Sequence, residues 1–252
     1  MKHSATEGYD MTIYQGGHNL CGTTIGVLAL ESYFPKPPGH IKNPSSLPFT
    51  VMYEMLDGIT VPKLLGNPTG EMKDRLLEAA RRLEAKGVRA ITGSCGFLAL
   101  FQKEIAQAVS IPVFVSSLVQ VPLAWQLSGC RPVGVITASS TSLTDRHFEG
   151  AGCAHVPMEI QGLDDTDEFA TVILRNERND MDLAKIEAEL LTAARTMIGR
   201  NPDIGSVVLE CTDLPPYAVR LQQEIGLPVY DLTTLTTMVA QVVMRQPFPG
   251  FI

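Results

Sequence analysis

The sequence predicts an α/β protein of two pseudo-symmetric lobes, each a mainly parallel sheet flanked by helices, with an active site in the cleft between them. Three observations predict it. Apolar runs of strand length alternate with amphipathic helical stretches, the order that builds parallel sheets through right-handed crossovers. The second half repeats the element order of the first at a separation above one hundred residues, too long for a solenoid. Two cysteines, Cys95 and Cys211, occupy matched positions of that repeat. The lobes are read as residues 21–125 and 130–245, joined at Gly129-Cys130-Arg131-Pro132, with 245–252 available to pack back on the first lobe.

Each element has its own signal. Ile25-Gly26-Val27-Leu28 opens the first half as a strand, as Val133-Gly134-Val135-Ile136 opens the second. Ser32 to Pro48 carries Pro35, Pro37, Pro38, Gly39, Pro44 and Pro48, the composition of a structured loop over a site, and is read as a lid. From Gly70 to Lys86, Met72, Leu76, Leu77, Ala80 and Leu83 recur at helical spacing, and Gly87 is placed to stop the helix. A strand at Val88–Thr92, a helix from Phe97 to Ala108 and a strand at Ile111–Val115 follow.

The later half answers with a helix from Leu183 to Ile198, a strand at Ser206–Leu209, a helix from Pro215 to Glu224 and a strand at Leu227–Tyr230. Cys211 lies 116 positions after Cys95 (211 − 95), and Pro228 lies 116 after Pro112 (228 − 112), so cysteine, helix and x-Pro-Val strand keep register between copies. Both cysteines are placed at carboxyl ends of strands, where parallel sheets present ligands.

The bulk properties exclude several classes. A formal charge of -7 argues against nucleic acid or an anionic membrane as partner, since both require clustered Lys and Arg. The start Met1–Glu7 is polar and lacks the apolar stretch of a signal peptide, and no run approaches the ~20 apolar residues of a membrane span, so the cytoplasm is expected. The cysteines at 21, 95, 130, 153 and 211 are odd in number with no C-x-x-C pair, which fits neither a disulfide framework nor a zinc site. Histidines at 3, 18, 40, 147 and 155 show no metal-binding spacing, and no nucleotide fingerprint is present. Neither metal nor cofactor is expected.

Paired thiols at helix starts suggest proton transfer at carbon. Unsatisfied N–H groups and the positive end of the helix dipole lower a thiol pKa, so Cys95 and Cys211 are expected to reach thiolate near neutral pH. A thiolate and a thiol on opposite sides of a carbon remove a proton from one face and return one to the other. The backbone N–H groups at Gly96-Phe97 and Thr212-Asp213 suit a substrate carboxylate. Ser94, Gly96 and Thr212, the small residues beside the thiols, are candidate substrate contacts, with Asn43 in the lid. Glu210 and Asp213 read as helix-start caps, and Tyr53 as a half-buried core residue. Cys21, Cys130 and Cys153 have no repeat partner and read as ordinary.

On Thr92-Gly93-Ser94-Cys95-Gly96-Phe97, Leu209-Glu210-Cys211-Thr212-Asp213 and Gly134-Val135-Ile136-Thr137-Ala138-Ser139-Ser140-Thr141, the chain resembles the aspartate/glutamate racemase superfamily. That superfamily also holds hydantoin racemases, maleate isomerases, arylmalonate decarboxylases and algal-type dimethylsulfoniopropionate lyases. The resemblance implies catalytic Cys95 and Cys211, a substrate carboxylate on Ser139, Ser140 and Thr141, and a homo-oligomer. It departs from the amino-acid racemases, whose first cysteine is followed by Asn-Thr where this chain has Gly96-Phe97. The expected activity is racemisation or epimerisation of a small amino acid or related carboxylate. The alternatives are β-elimination of the dimethylsulfoniopropionate lyase type, and a carboxylate-binding protein without thiol chemistry.

Overall fold

The computed structural model describes residues 17, 18 and 20–249; the polar start and residues 250–252 lie outside the described residues. Strands β1 (Ile25–Leu30), β2 (Val51–Leu56), β3 (Ala90–Gly93) and β4 (Val113–Phe114) form one sheet in the order β2-β1-β3-β4. Strands β5 (Val133–Thr137), β6 (Met158–Gly162), β7 (Ser206–Leu209) and β8 (Val229–Tyr230) form a second in the equivalent order β6-β5-β7-β8. Every pairing is parallel. The central strands β1, β3, β5 and β7 are buried along their whole length, as expected of sheets covered on both faces.

The covering helices follow from local chemistry. Helix α1 (Val61–Gly66) is a short entry with Pro62 in its first turn. Helix α2 (Gly70–Ala85) begins where the Thr69 hydroxyl accepts from Met72 N, and buries a stripe of Met72, Leu76, Ala79, Ala80 and Leu83. Its counterpart in the second half, whose range is Leu183–Arg200, begins where Asp182 accepts from Ala184 and Lys185 N–H groups and buries Ile186, Leu190, Leu191, Ala194 and Met197.

The helix expected after each cysteine does not begin there. After Cys95 the chain makes a 3-10 turn, Gly96–Phe101, before helix α3 (Gln102–Ala108). All six residues of that turn are buried, so Phe97-Leu98-Ala99-Leu100-Phe101 has no polar face to offer water and packs as a tight coil instead. After Cys211 another 3-10 turn, Pro215–Tyr217, precedes the matching helix Ala218–Ile225, which begins 116 positions after α3 (218 − 102). The two prolines supply no N–H donors and suit the start of a turn.

The two halves exchange their last helices. Helix α4 (Val121–Leu127), which ends the first half, packs on β5 and β7; numbering onward, α5 is Asp145–Ala151, α6 is Leu183–Arg200, α7 is Ala218–Ile225 and α8 is Leu232–Val243. Helix α8, which ends the second half, packs on β3, where Leu232, Leu235 and Ala240 join Ile25, Val27, Ala29 and Phe114 in a core of their own. The return contact to the first lobe is thus made by α8, while Arg245–Pro249 are exposed coil. Buried ties reinforce the exchange: Ser117 Oγ donates to Leu209 O (2.6 Å) and Gln120 Nε2 to Asp231 O (2.9 Å). No helix among the described residues is long and apolar enough to cross a membrane.

Candidate active site

In each sheet the chain reverses direction of winding between its two central strands, β1 and β3 in one, β5 and β7 in the other, and this is where ligand crevices form in open parallel sheets. Cys95 follows β3 by two residues and Cys211 follows β7 by two. Each thiol is only 7% exposed. Each also receives the backbone N–H of the residue two further on, Phe97 for Cys95 and Asp213 for Cys211, positions again 116 apart.

The two cysteine loops touch, and they do so symmetrically. Thr212 Oγ1 donates to Ser94 O at 2.7 Å in one direction. In the other, Gly96 lies so tightly on Glu210 that an added Cβ would stand 2.1 Å from Glu210 Oε1 and 2.2 Å from Glu210 O. Since 94 pairs with 210 and 96 with 212 in the repeat, these are one contact seen twice about a pseudo-twofold axis. The expected pseudo-twofold therefore brings the two cysteine loops into contact, and the Cys95 charge is felt at Cys211.

Electrostatics depart from the expectation. Neither cysteine stands at the first turn of an α-helix, and burial pushes both thiols well above their ordinary range, with Glu210 and Asp213 adding to the shift. The predicted lowering is therefore corrected: the N–H groups are present, but burial and neighbouring carboxylates outweigh them. Glu210 is fully buried; its Oε2 accepts from Thr137 Oγ1 (2.8 Å) while Oε1 has no hydrogen-bond partner, and burial raises its carboxyl to about 7. Asp213 is held below the usual carboxylate range, because the His40 imidazole, Lys36 and the Cys211 S–H outweigh the effect of its burial. Neither acid caps a helix, contrary to the sequence reading.

The lid closes the site. Between β1 and β2 the crossover holds one 3-10 turn, Pro44–Ser46, and buries Phe34, His40, Ile41 and Leu47. Gly39, at φ 103°, lies against the second lobe, where a Cβ would meet Pro216 Cα at 2.8 Å, and its carbonyl accepts from Thr233 Oγ1 (2.7 Å). The next residue completes a relay: His40 Nδ1 accepts from Lys42 N (2.8 Å), which leaves the ring proton on Nε2 to be donated to Asp213 Oδ1 (2.7 Å), and Asp213 Oδ2 accepts from Cys211 Sγ (3.4 Å). Two lysines of the lid also enter. Lys42 Nζ donates to Leu30 O (2.7 Å) and Ser32 Oγ (2.8 Å), and its charge is felt by Cys95 and Asp213. Lys36 Nζ lies 3.5 Å from the centre of the Phe34 ring, donates to Phe34 O, and is brought down to about 8 by burial and by Lys42.

Of the residues the sequence singled out, Ser94, Cys95, Gly96, Cys211 and Thr212 are brought together. Ser94 Oγ accepts from Leu30 N (2.9 Å). Ser139, Ser140 and Thr141 begin two residues after β5, next to Thr137 and Ala138, which hold Glu210, and they are engaged by Asp164: Ser139 Oγ donates at 2.6 Å, Ser140 N and Oγ at 2.9 Å, Thr141 Oγ1 at 3.2 Å. Asn43 serves the lid's own turn, accepting from Ser45 N and Oγ and donating to Lys36 O. Tyr53 is half-buried and donates to Ile41 O, as a core tyrosine would. Phe97 packs edge-on against His147, at 5.3 Å between ring centres, in the core beneath α5. His40, Lys36 and Lys42 were missed. Their signal was faint: three basic residues within a segment already read as a lid.

Two parallel-sheet lobes thus bring two loops, each carrying a buried cysteine, into contact at their winding reversals. Solved structures share the fold: a glycine-to-cysteine mutant of arylmalonate decarboxylase in a sulfate-associated form (TM-score 0.60, 16% identity, covering 87% of this chain and 92% of that one) and a glutamate racemase from Bacillus anthracis (TM-score 0.58, 18% identity, 88% and 81%). No protein-family model matches the chain. Among curated relatives, dimethylsulfoniopropionate lyase 5 of Emiliania huxleyi is 33% identical over 237 residues (90% of this chain, 46% of that protein), and the dimethylsulfoniopropionate lyase of Durusdinium sp. clade D is 30% identical over 221 residues (84% and 72%). The chain thus spans about half the length of the first of these. It belongs to the dimethylsulfoniopropionate lyase family.

Proposed function

We propose that this chain is an enzyme, a β-elimination lyase that converts dimethylsulfoniopropionate to acrylate and dimethyl sulfide, with Cys95 as the base. The observation that carries this reading is the inequality of two equivalent thiols. Racemisation requires two groups that exchange roles as acid and base, whereas elimination requires one base. Cys211 donates its S–H to Asp213, which His40 and the lid hold as an anion, so Cys211 is kept as a thiol. Among the described residues Cys95 donates to no such carboxylate, and it has the Lys42 charge on its side.

The substrate itself completes the activation. Dimethylsulfoniopropionate carries a sulfonium cation, and the Asp213 carboxylate, held below its usual range, with the Glu210 carboxyl in the same loop makes a setting that favours a cation over a neutral group. A sulfonium bound there favours the thiolate as well, so Cys95 loses its proton when substrate is present rather than in the free site. Cys95 then takes the proton from the carbon next to the carboxylate. The C–H electron pair becomes the carbon–carbon double bond of acrylate, the neighbouring carbon–sulfur bond breaks with its pair on sulfur, and neutral dimethyl sulfide leaves. Cys95 is thereby returned to its resting thiol, and the one proton released per turnover is the one that passed from Cys95 to water when the thiolate formed.

The test is proton NMR in D2O with dimethylsulfoniopropionate, alongside a panel of chiral amino acids and hydantoins. Acrylate and dimethyl sulfide are expected from the native chain and are lost in Cys95→Ala. Deuterium entering a stereocentre of the panel, without acrylate, replaces this reading with racemisation.

A further inference from the structure

Resting on the lyase reading, we propose that the substrate carboxylate is anchored by the lid's two ammonium groups, Lys42 first and Lys36 second, and not by the hydroxyl turn at Ser139–Thr141. Three observations meet here. Among the described residues neither lysine has a carboxylate within 4.0 Å, although both are half-buried. An ammonium group withdrawn from water without a counter-ion is costly, and such groups are found where an anionic ligand supplies the missing charge. The acid whose charge both lysines feel, Asp213, already accepts from His40 and Cys211.

The second observation is position. Lys42 Nζ uses two of its three N–H bonds, on Leu30 O and Ser32 Oγ at the carboxyl end of β1, and leaves one free on the strand that borders Cys95's own. A carboxylate held there brings its neighbouring carbon toward the Cys95 thiol, whose charge Lys42 already feels. The sulfonium end then extends toward Glu210 and Asp213, so the zwitterion lies with each charge opposite its complement. The third observation is that the hydroxyl turn already holds a carboxylate: the four donors of Ser139, Ser140 and Thr141 converge on Asp164, and a Cβ at Gly162 would stand 1.8 Å from Asp164 Oδ2. Asp164 satisfies in the resting chain what a substrate would otherwise have to satisfy.

Lys42 and Lys36 therefore select substrates that carry a carboxylate beside the carbon that loses its proton. Two measurements test this. In the first, propanoate, which cannot eliminate, is titrated while alkylation of Cys95 is followed by peptide mass spectrometry; protection is expected in the native chain and in Ser139→Ala, and is weakened about 10- to 100-fold in Lys42→Gln. In the second, kcat/KM is compared for dimethylsulfoniopropionate and its carboxamide. The native preference for the acid is expected to collapse about tenfold or more in Lys42→Gln, to survive largely in Lys42→Arg, and to fall less in Lys36→Gln. A Lys42→Gln chain that keeps both propanoate protection and acid preference, with Ser139→Ala losing them, overturns the proposal; if Lys42→Gln does not fold, the contrast between Lys36→Gln and Ser139→Ala decides it in the same way. Propanoate protection that depends on Lys42, in a native chain that releases no acrylate, sinks the lyase reading and leaves the anchor standing.

Discussion

Ser94-Cys95-Gly96-Phe97 and Glu210-Cys211-Thr212-Asp213 fill the same four places of the repeat, yet only the cysteine is common to both. Backbone geometry is shared: each thiol follows the central strand by two residues and receives the N–H two positions on. The neighbours are not. The first loop has a neutral serine, a glycine and an aromatic ring turned into the core; the second has the buried Glu210 carboxyl, the half-buried Asp213 carboxylate and a hydroxyl. Duplication fixed where the thiols sit, and the flanking residues then set how each one holds its proton. With one thiol pinned by Asp213, the proposed lyase chemistry asks only the other to remove a proton.

The comparison breaks most severely at Gly96. A methyl group there meets the Glu210 carboxylate at 2.1 Å and the Glu210 carbonyl at 2.2 Å. The side chain can swing aside, but the carbonyl follows directly on β7 and cannot. Gly96→Ala is expected to push the loops apart, to destabilise the chain by roughly 1–3 kcal/mol in urea unfolding, and to reduce acrylate release about 100-fold through misplaced thiols. A variant with native stability and turnover would show that the loops do not depend on this contact.

Next in size is the pH dependence that Glu210 imposes on the second loop alone. Its carboxyl stands at about 7 in the folded chain against an ordinary 4.5, because burial opposes its charge. A group raised in this way stabilises the fold fully below its unfolded pKa, and that contribution is lost as pH rises through its folded pKa. Between pH 4.5 and 8 the loss is about 3 kcal/mol at most. Glu210→Gln, which keeps an acceptor for Thr137, is expected to unfold with a flatter dependence over that window. Parallel stability curves for the two proteins would mean that Glu210 titrates as an ordinary carboxylate.

The repeat made much of this architecture legible. The pairs Cys95/Cys211 and Pro112/Pro228 place β3, β4, β7 and β8 in equivalent sheets, because apolar runs bounded by Gly and Pro are a local signal. Ser142 to Asp182 escaped that reading: α5 is short, β6 is only half-buried, and Ala170–Leu174 forms a π-helical turn with no sequence signature. The exchange of α4 and α8 was equally hidden, since an amphipathic helix shows that it covers a sheet but not which one. At the site, the thiols and the small residues beside them were readable from the repeat. Their charge state was not, because it depends on His40, which reaches Asp213 across 173 positions, and on burial that no single residue type reports.

That hidden charge state is sharpened by reactivity. Under limiting iodoacetamide at mildly alkaline pH, the exposed Cys21 and Cys130 are expected to react first, and of the two site thiols Cys95 ahead of Cys211. Asp213→Asn removes the carboxylate that accepts from the Cys211 thiol and raises its pKa, and should accelerate Cys211 roughly tenfold for each pKa unit recovered, closing the gap. Equal rates for Cys95 and Cys211 in the native chain, followed by peptide mass spectrometry, would remove the inequality on which the single-base mechanism stands.

The smallest effect is expected at the other copy of the Gly96 contact. Thr212→Val preserves shape and removes the hydroxyl that donates to Ser94 O, leaving a buried carbonyl without that partner. The cost of such a loss is about 1–2 kcal/mol, and because no atom is added the loops keep their separation, so acrylate release should stay within about threefold of native. Symmetry relates this contact to the one at Gly96, but the two are held by different means, one by a hydrogen bond and the other by the absence of a side chain. A Thr212→Val chain as damaged in turnover as Gly96→Ala would show that the hydrogen bond, rather than close approach, sets the distance between the thiols.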